Sequence, residues 1–122
     1  MEGHTVCWVD IPVKDLERAI AFYTKVLGAE VTKQSRSGLE FGLLPHEDNV
    51  SGCLYASKDN QPSIAGLLVY LSVEGRLDAA IEAARSNGGR LLQPKESIAP
   101  HGFRAIIVDS EGNRIALHSS IA

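Results

Sequence analysis

The chain has 122 residues, of which 44% are hydrophobic and 22% charged, and its formal net charge is −3 at pH 7. This length fits one compact domain, and the composition is that of a globular protein. The negative net charge, without a basic stripe, excludes a nucleic-acid partner held by phosphate neutralisation. Because no apolar run approaches the ~20 residues that cross a bilayer, we expect no membrane partner and a cytoplasmic location.

The first predicted strand, residues 6–13, alternates between two faces. One face is uniformly apolar and carries Cys7, Val9, Ile11 and Val13. We expect this face to pack beneath a helix, while Trp8 and Asp10 on the other face point into the space around which the sheet curls. Cys7 and Cys53 have neither metal-binding spacing nor the density of a disulfide scaffold, so both are predicted to be reduced and buried.

The first predicted helix follows this strand directly. Asp15 is its expected N-cap, because a carboxylate there accepts backbone N–H groups at the positive end of the helix dipole. From Leu16 to Leu27 apolar residues recur at three- and four-residue spacing, and Gly28 is the expected stop. A second strand at residues 30–32 and further hydrophobic segments then complete the first half.

The second half of the chain repeats this order about 60 residues later. A strand at residues 67–73 precedes an apolar stripe from residue 77 and the glycine pair at 88 and 89. Residues 58–63 carry turn chemistry and are the predicted linker, while residues 45–49 and 109–113 are predicted hairpin loops. The sequence therefore predicts an α+β domain of two βαβββ modules, about 4–57 and about 64–120, forming a curved mixed sheet around a cleft.

Two segments carry a family resemblance. Residues 15–28 (DLERAIAFYTKVLG) and 109–118 (DSEGNRIALH) resemble the vicinal-oxygen-chelate superfamily, which includes glyoxalase I, bleomycin-resistance proteins and extradiol dioxygenases. The resemblance covers almost the whole chain and is strongest to the glyoxalase-like branch. It implies the paired βαβββ fold and a homodimer, in which each cleft is closed either within one chain or between two.

The resemblance also implies where a metal would be held. Metal-binding members place one ligand in each of four strands on the concave face. Matching by motif puts three of these positions at Trp8, Leu68 and Ala116, and the strand around residues 52–55 offers no carboxylate or imidazole. Since such side chains do not coordinate a divalent cation, we predict no metal and no other cofactor, and glyoxalase I or dioxygenase activity is not implied.

Strand alternation outward from these positions predicts the lining of the cleft. The expected ligand-binding residues are Trp8, Leu68, Tyr70, His101, Arg104, Arg114 and Ala116. An apolar and aromatic lining with few polar groups is typical of a small-molecule pocket. The predicted function is the binding of a small apolar or aromatic metabolite or drug.

Asp10 and His118 are the candidate catalytic residues. Asp10 is expected to be a buried carboxylate, which could act as a base or could bond structurally to an arginine or to His118. The alternative function is therefore a lyase or isomerase in which Asp10 or His118 moves a proton and Arg104 or Arg114 holds an anion. Asp10, His101 and His118 also have the residue types of a displaced metal site. A role in assembly alone is disfavoured, because the sequence has no long apolar stripe.

Overall fold

The computed structural model describes residues 5–47 and 52–122. Part of the predicted hairpin loop at 45–49 therefore lies outside the described residues. In the described part of the chain, neither helix combines the length and apolarity needed to cross a bilayer.

The first module contains one helix and four strands. Their bounds are β1 (Val9–Pro12), α1 (Leu16–Leu27), β2 (Thr32–Arg36), β3 (Leu39–Leu43) and β4 (Gly52–Tyr55). The strand order in the sheet is β1-β4-β3-β2, with β1 parallel to β4 and the other pairs antiparallel. This arrangement is one βαβββ unit with a mixed sheet.

The second module repeats this topology. Its elements are β5 (Val69–Ser72), α2 (Leu77–Ser86), β6 (Arg90–Ser97), β7 (Phe103–Val108) and β8 (Arg114–Ser119). The strand order is β5-β8-β7-β6, and β5 is parallel to β8. The predicted α+β class and the tandem βαβββ organisation are confirmed, although β1 and β5 are shorter than predicted. Each pairs with its parallel neighbour over only four residues.

Helix α1 begins and ends where local chemistry predicts. The Asp15 side chain accepts the Arg18 backbone N–H at 3.1 Å, and Gly28 ends the helix with φ of 70°. Its buried stripe, which includes Phe22, Tyr23 and Val26, covers one face of the first sheet. The predicted N-cap and glycine stop are confirmed. Both could be predicted because they depend on hydrogen bonds and backbone geometry that are local in the sequence.

The two modules meet through α1 and α2, and their buried side chains form one continuous core. Arg76, just before α2, donates from Nη1 to the Val26 carbonyl at 2.6 Å. Gly89 lies where a Cβ would be 2.9 Å from Phe22 Cε2 and 2.6 Å from the Val108 carbonyl oxygen. The second glycine of the pair thus permits close packing between modules in addition to following the helix.

A buried polar turn between β7 and β8 completes this contact between the modules. Asp109 accepts the Tyr23 hydroxyl and also the backbone N–H groups of Glu111 and Asn113, both at 2.8 Å. Asn113 Nδ2 donates to the Pro12 carbonyl at 2.7 Å. The predicted hairpin loop at 109–113 is therefore also a structural joint. In contrast, the sheet faces opposite the helices remain open.

Candidate functional site

The open face of the first sheet forms a hollow of about 610 Å³. It is lined by Trp8, Asp10, Gln34, Arg36, Leu39, Glu40, Phe41, Leu43, Cys53 and Tyr55. This volume lies within the range of small-molecule sites. All ten lining residues belong to the first module, so the hollow is built on one sheet.

Aromatic and aliphatic side chains dominate the wall of the hollow. Trp8, directly before β1, is 42% exposed, and Tyr55 lies at the end of β4. Strand β3 adds Leu39, Phe41 and Leu43, which alternate along the strand and so can share one face. The contribution of β2 and β3 was not predicted from the sequence, although the alternation of apolar residues along β3 was a usable signal.

Asp10 holds the Trp8 indole in place. Trp8 Nε1 donates to Asp10 Oδ1 at 2.7 Å, and the carboxylate is exposed, not buried as predicted. Asp10 faces the open side of an edge strand, and the predicted partners Arg104 and His118 belong to the other sheet. The expected bonds from Asp10 to those residues are therefore absent from the described contacts.

Cys53 lies beside Asp10 in the hollow, with Sγ 3.4 Å from Asp10 Oδ1. Burial, with a further contribution from this hydrogen bond to a carboxylate, raises the pKa of Cys53 to about 12. The thiol is therefore protonated at neutral pH and is a poor nucleophile. Cys7 is exposed, in contrast to the prediction that both cysteines are buried.

Three predicted site residues come together on the open face of the second sheet, and we call them the Tyr70–Arg104–His118 cluster. Arg104 Nη1 donates to the Tyr70 hydroxyl, and the guanidinium carbon is 5.9 Å from the Tyr70 ring centroid. The Tyr70 and His118 rings meet edge to face at 6.4 Å. Strand register explains the cluster, because Arg104 pairs with His118, and Tyr70 pairs with Ala116 two residues away.

The orientation of His118 is fixed by a backbone carbonyl. His118 Nε2 lies 2.6 Å from the carbonyl oxygen of His101. Since a carbonyl oxygen can only accept, the neutral ring carries its proton on Nε2 and leaves Nδ1 as an acceptor. His101 thus contributes its main chain to the cluster, whereas its side chain was the predicted group.

The other predicted residues of the second module are placed differently. Leu68 is half-buried just before β5, and Ala116 is fully buried, so its methyl group presents no surface to a ligand. Arg114 Nη2 donates to the Gly66 carbonyl at 3.2 Å. This bond anchors the Arg114 guanidinium away from the Tyr70–Arg104–His118 cluster, at the other end of β8.

The side chains present do not fit the metal that the superfamily implies. Indole, isobutyl and methyl groups at Trp8, Leu68 and Ala116 are not ligands for a divalent cation. Within residues 5–47 and 52–122, no three His, Cys, Asp or Glu side chains are grouped so that they could hold a metal ion. The suggested displaced site is not assembled either, because Asp10 is on the first sheet and His118 on the second.

Comparison with protein-family models matches residues 3–117 to the Glyoxalase/Bleomycin resistance protein/Dioxygenase superfamily. The chain belongs to this superfamily. Comparison with curated protein sequences gave no significant match. Membership agrees with the two βαβββ modules and with the resemblance in residues 15–28 and 109–118.

Solved structures of this superfamily share the fold at low sequence identity. A glyoxalase/bleomycin resistance protein from Albidiferax ferrireducens T118 superposes with a TM-score of 0.72 at 20% identity, covering 93% of this chain and 96% of its own. A glyoxalase-related enzyme from Fulvimarina pelagi gives 0.69 at 17% identity, with coverage of 94% and 87%. Glyoxalase I from Zea mays gives 0.66 at 22% identity, and the match covers 93% of this chain but 45% of the maize chain. At these identities the likeness establishes the fold alone.

Proposed function

We propose that this glyoxalase-like protein binds a small apolar or aromatic molecule, a metabolite or a drug, in the hollow of the first sheet. The observation that carries the proposal is the position of Trp8. Trp8 forms part of the wall of the hollow, and matching by motif puts it at the first ligand position of metal-binding members of the superfamily. The motif match therefore pairs an apolar side chain with a position that would otherwise carry a metal ligand.

The surroundings of Trp8 support recognition of a flat ligand. The hydrogen bond to Asp10 restrains the indole, and Phe41 and Tyr55 add two further aromatic rings to the lining. Aromatic rings bury large areas and add a geometric preference for stacked or edge-to-face contacts. A restrained indole also loses less side-chain freedom when a ligand binds.

A direct test is calorimetric titration with 1-naphthol, a neutral aromatic probe, in the presence and absence of a chelator. We expect binding that the chelator does not change. Trp8→Ala should weaken binding by about ten-fold or more, because it removes one of the main apolar contacts. Leu92→Ala, which removes an exposed apolar side chain from β6, is the matched control and should bind like the wild type.

Equal binding by Trp8→Ala and the wild type would remove the hollow as the site. Loss of binding on chelation would show that a metal is needed after all. The Trp8→Ala variant and the chelator therefore each test the proposal directly.

A homodimer is the second part of the proposal. Large apolar side chains are exposed on both open faces, including Trp8 on the first and Tyr70, at 45%, on the second. A second copy would cover these faces, and it could complete the cleft with strands from its own module. Sedimentation should give twice the 13.1 kDa chain mass, and Leu39→Glu should shift the population to monomer. A monomer at high concentration would contradict the dimer.

The orientation of His118 favours one alternative function, a lyase or isomerase. A histidine whose Nε2 is held by a carbonyl and whose Nδ1 is an acceptor is arranged as a proton acceptor. Pairing with Asp10 in that role would require the two open faces to come together. The test is proton exchange at the carbon next to a carbonyl in small hydroxyketones, followed by NMR in deuterium oxide. Exchange that the wild type catalyses and that is lost in His118→Gln supports the alternative function. A wild type that catalyses no exchange rules against it.

A further inference from the structure

We propose that the Tyr70–Arg104–His118 cluster is a second binding site, specific for a carboxylate anion. The site goes beyond the proposed function, because it lies on the open face of the second sheet and shares no residue with the hollow. Two observations carry it: the Arg104 guanidinium has a buried Nε without a hydrogen-bond partner among the described residues, and the Tyr70 hydroxyl accepts from Arg104, which leaves its hydrogen to donate.

The edge of the Arg104 guanidinium formed by Nε and Nη2 has no hydrogen-bond partner among the described residues. Nη1 donates to the Tyr70 hydroxyl, but Nε is buried and has no hydrogen-bond partner among the described residues. Nη2 lies 3.7 Å from Glu96 Oε1, which is longer than a hydrogen bond. Nε and Nη2 together form the edge that binds a carboxylate through two parallel hydrogen bonds.

Leaving a buried donor unpaired is unfavourable, so this edge favours an acceptor that bridges both nitrogens. Glu96 is itself a carboxylate, but its Oε1 is too far from Nη2 to form a hydrogen bond. A free carboxylate is not tethered to β6 and can adopt the bidentate geometry. Of the Arg104 side chain, 26% is exposed, but Nε itself is buried, so a ligand that bonds to Nε must also displace the atoms that cover it.

Tyr70 adds a second donor beside this edge. Its oxygen accepts from Arg104, so its own hydroxyl hydrogen is free to donate to another group. Its ring also provides a flat apolar surface next to the cation. A guanidinium, a phenol and an aromatic surface together suit a carboxylate attached to a flat body.

Arg104 carries the positive charge of the cluster. Its Nη2 lies 3.7 Å from Glu96, and Glu74 is close enough to His118 to interact with it electrostatically.

The experiment compares benzoate with benzamide, which has similar shape but no charge. Binding is followed through the arginine Nε–H signals in nitrogen-15 NMR spectra. We expect benzoate, but not benzamide, to shift the Arg104 signal. Arg104→Gln should weaken benzoate binding by about ten-fold or more and Tyr70→Phe by a smaller factor, because a charged and a neutral hydrogen bond are lost respectively.

Arg114→Gln is the matched control. It removes the same charge from the same sheet. Arg114 Nε is likewise buried without a partner among the described residues, but Nη2 is already bonded to the Gly66 carbonyl, so this edge is not open to a carboxylate and the variant should bind benzoate like the wild type. If Arg114→Gln and Arg104→Gln weakened benzoate binding equally, the weakening would be an effect of net charge, and the proposed site would be overturned. Equal binding of benzamide and benzoate, or tighter binding of inorganic phosphate than of benzoate, would also overturn the carboxylate assignment.

The outcome is separable from that of the proposed function. Titration of Arg104→Gln with 1-naphthol should match the wild type, and Trp8→Ala should retain benzoate binding. Because Trp8 is the single tryptophan, its emission reports on the hollow independently of the cluster. Each site can therefore fail while the other stands.

Discussion

The Arg18 guanidinium binds the Glu111 carboxylate across the two modules, with Nε 2.7 Å from Oε2 and Nη2 2.9 Å from Oε1. The same carboxylate accepts the backbone N–H groups of Lys14 and Asp15, each at 2.8 Å. Glu111 is buried, whereas about half of the Arg18 side chain is exposed. One acidic side chain from the second module thus holds the start of α1 in the first.

Replacement of Glu111 by glutamine should destabilise the protein by about 1–3 kcal/mol. An amide oxygen at the Oε1 position can still accept both backbone N–H groups, but an amide nitrogen at the Oε2 position cannot accept from Arg18 Nε, and the ion pair is lost. Urea unfolding followed by circular dichroism measures the change. Lys33→Gln, which breaks exposed ion pairs with Glu17 and Glu40, is the control and should change the free energy of unfolding little. Similar effects for both variants would contradict the role of Glu111 as a joint.

The contribution of Glu111 should depend on pH. Burial alone would raise its pKa, but hydrogen bonds from Arg18, Asp15, Ser110 and Lys14 outweigh burial and lower the pKa to about 2 from its usual 4.5. A lowered pKa means that the ionised form stabilises the fold above about pH 4.5 and that this stabilisation is lost as the pH falls towards 2.

We therefore expect the free energy of unfolding of the wild type to approach that of Glu111→Gln between about pH 5 and pH 2. Unfolding curves at several pH values test this difference. Gly38→Ala, which removes no ionisable group, should instead differ from the wild type by a nearly constant amount. A pH-independent gap between wild type and Glu111→Gln would be inconsistent with the lowered pKa.

The two cysteines should differ in reactivity. Cys7 is exposed, whereas burial first, and the bond to Asp10 second, raise the pKa of Cys53 to about 12. Iodoacetamide at pH 8 should therefore modify Cys7 rapidly and Cys53 only after unfolding in urea, as read by peptide mass spectrometry. Asp10→Asn should speed modification of Cys53 only modestly, because burial remains. Rapid labelling of Cys53 in the folded wild type would show that the thiol is accessible.

Two glycines should respond to alanine for different reasons. Gly89→Ala places a methyl group 2.6 Å from the Val108 carbonyl oxygen and against Phe22, so overpacking should destabilise the protein by about 1–3 kcal/mol. Gly38→Ala meets no atom within 4 Å, and only its φ of +82° opposes the substitution. The melting temperature of Gly89→Ala should be lower than that of Gly38→Ala. The reverse order would argue against close packing at Gly89, both with Val108 in its own module and with Phe22 in the other.

Features set by neighbouring residues could be predicted from the sequence. Asp15 and Gly28 bound α1 as predicted because an N-cap and a left-handed C-cap involve residues within one turn of each other. The repeated order of strand, helix and glycine predicted both modules, because these signals also depend on residues that are close together in the sequence. The ends of β1 and β5 were predicted less accurately, because the length of a strand depends on a partner strand that is distant in sequence.

Features set by the relation between sheets could not be predicted in this way. Alternation along single strands placed Trp8, Asp10 and Tyr70 in one common cleft. In the structure, the first two belong to the hollow and Tyr70 to the other sheet. Arg36 and Leu39 entered the lining through the β2–β3 pairing, whose register is a property of the folded sheet.

The position of the joint between the modules has a consequence for how this protein can change. Contacts between α1 and α2, together with the turn at Asp109, lie away from the open sheet faces. Side chains on those faces can therefore be exchanged with little penalty to folding, since they carry little of the core. The proposed binding hollow can therefore be altered one residue at a time while the core that joins the modules stays intact.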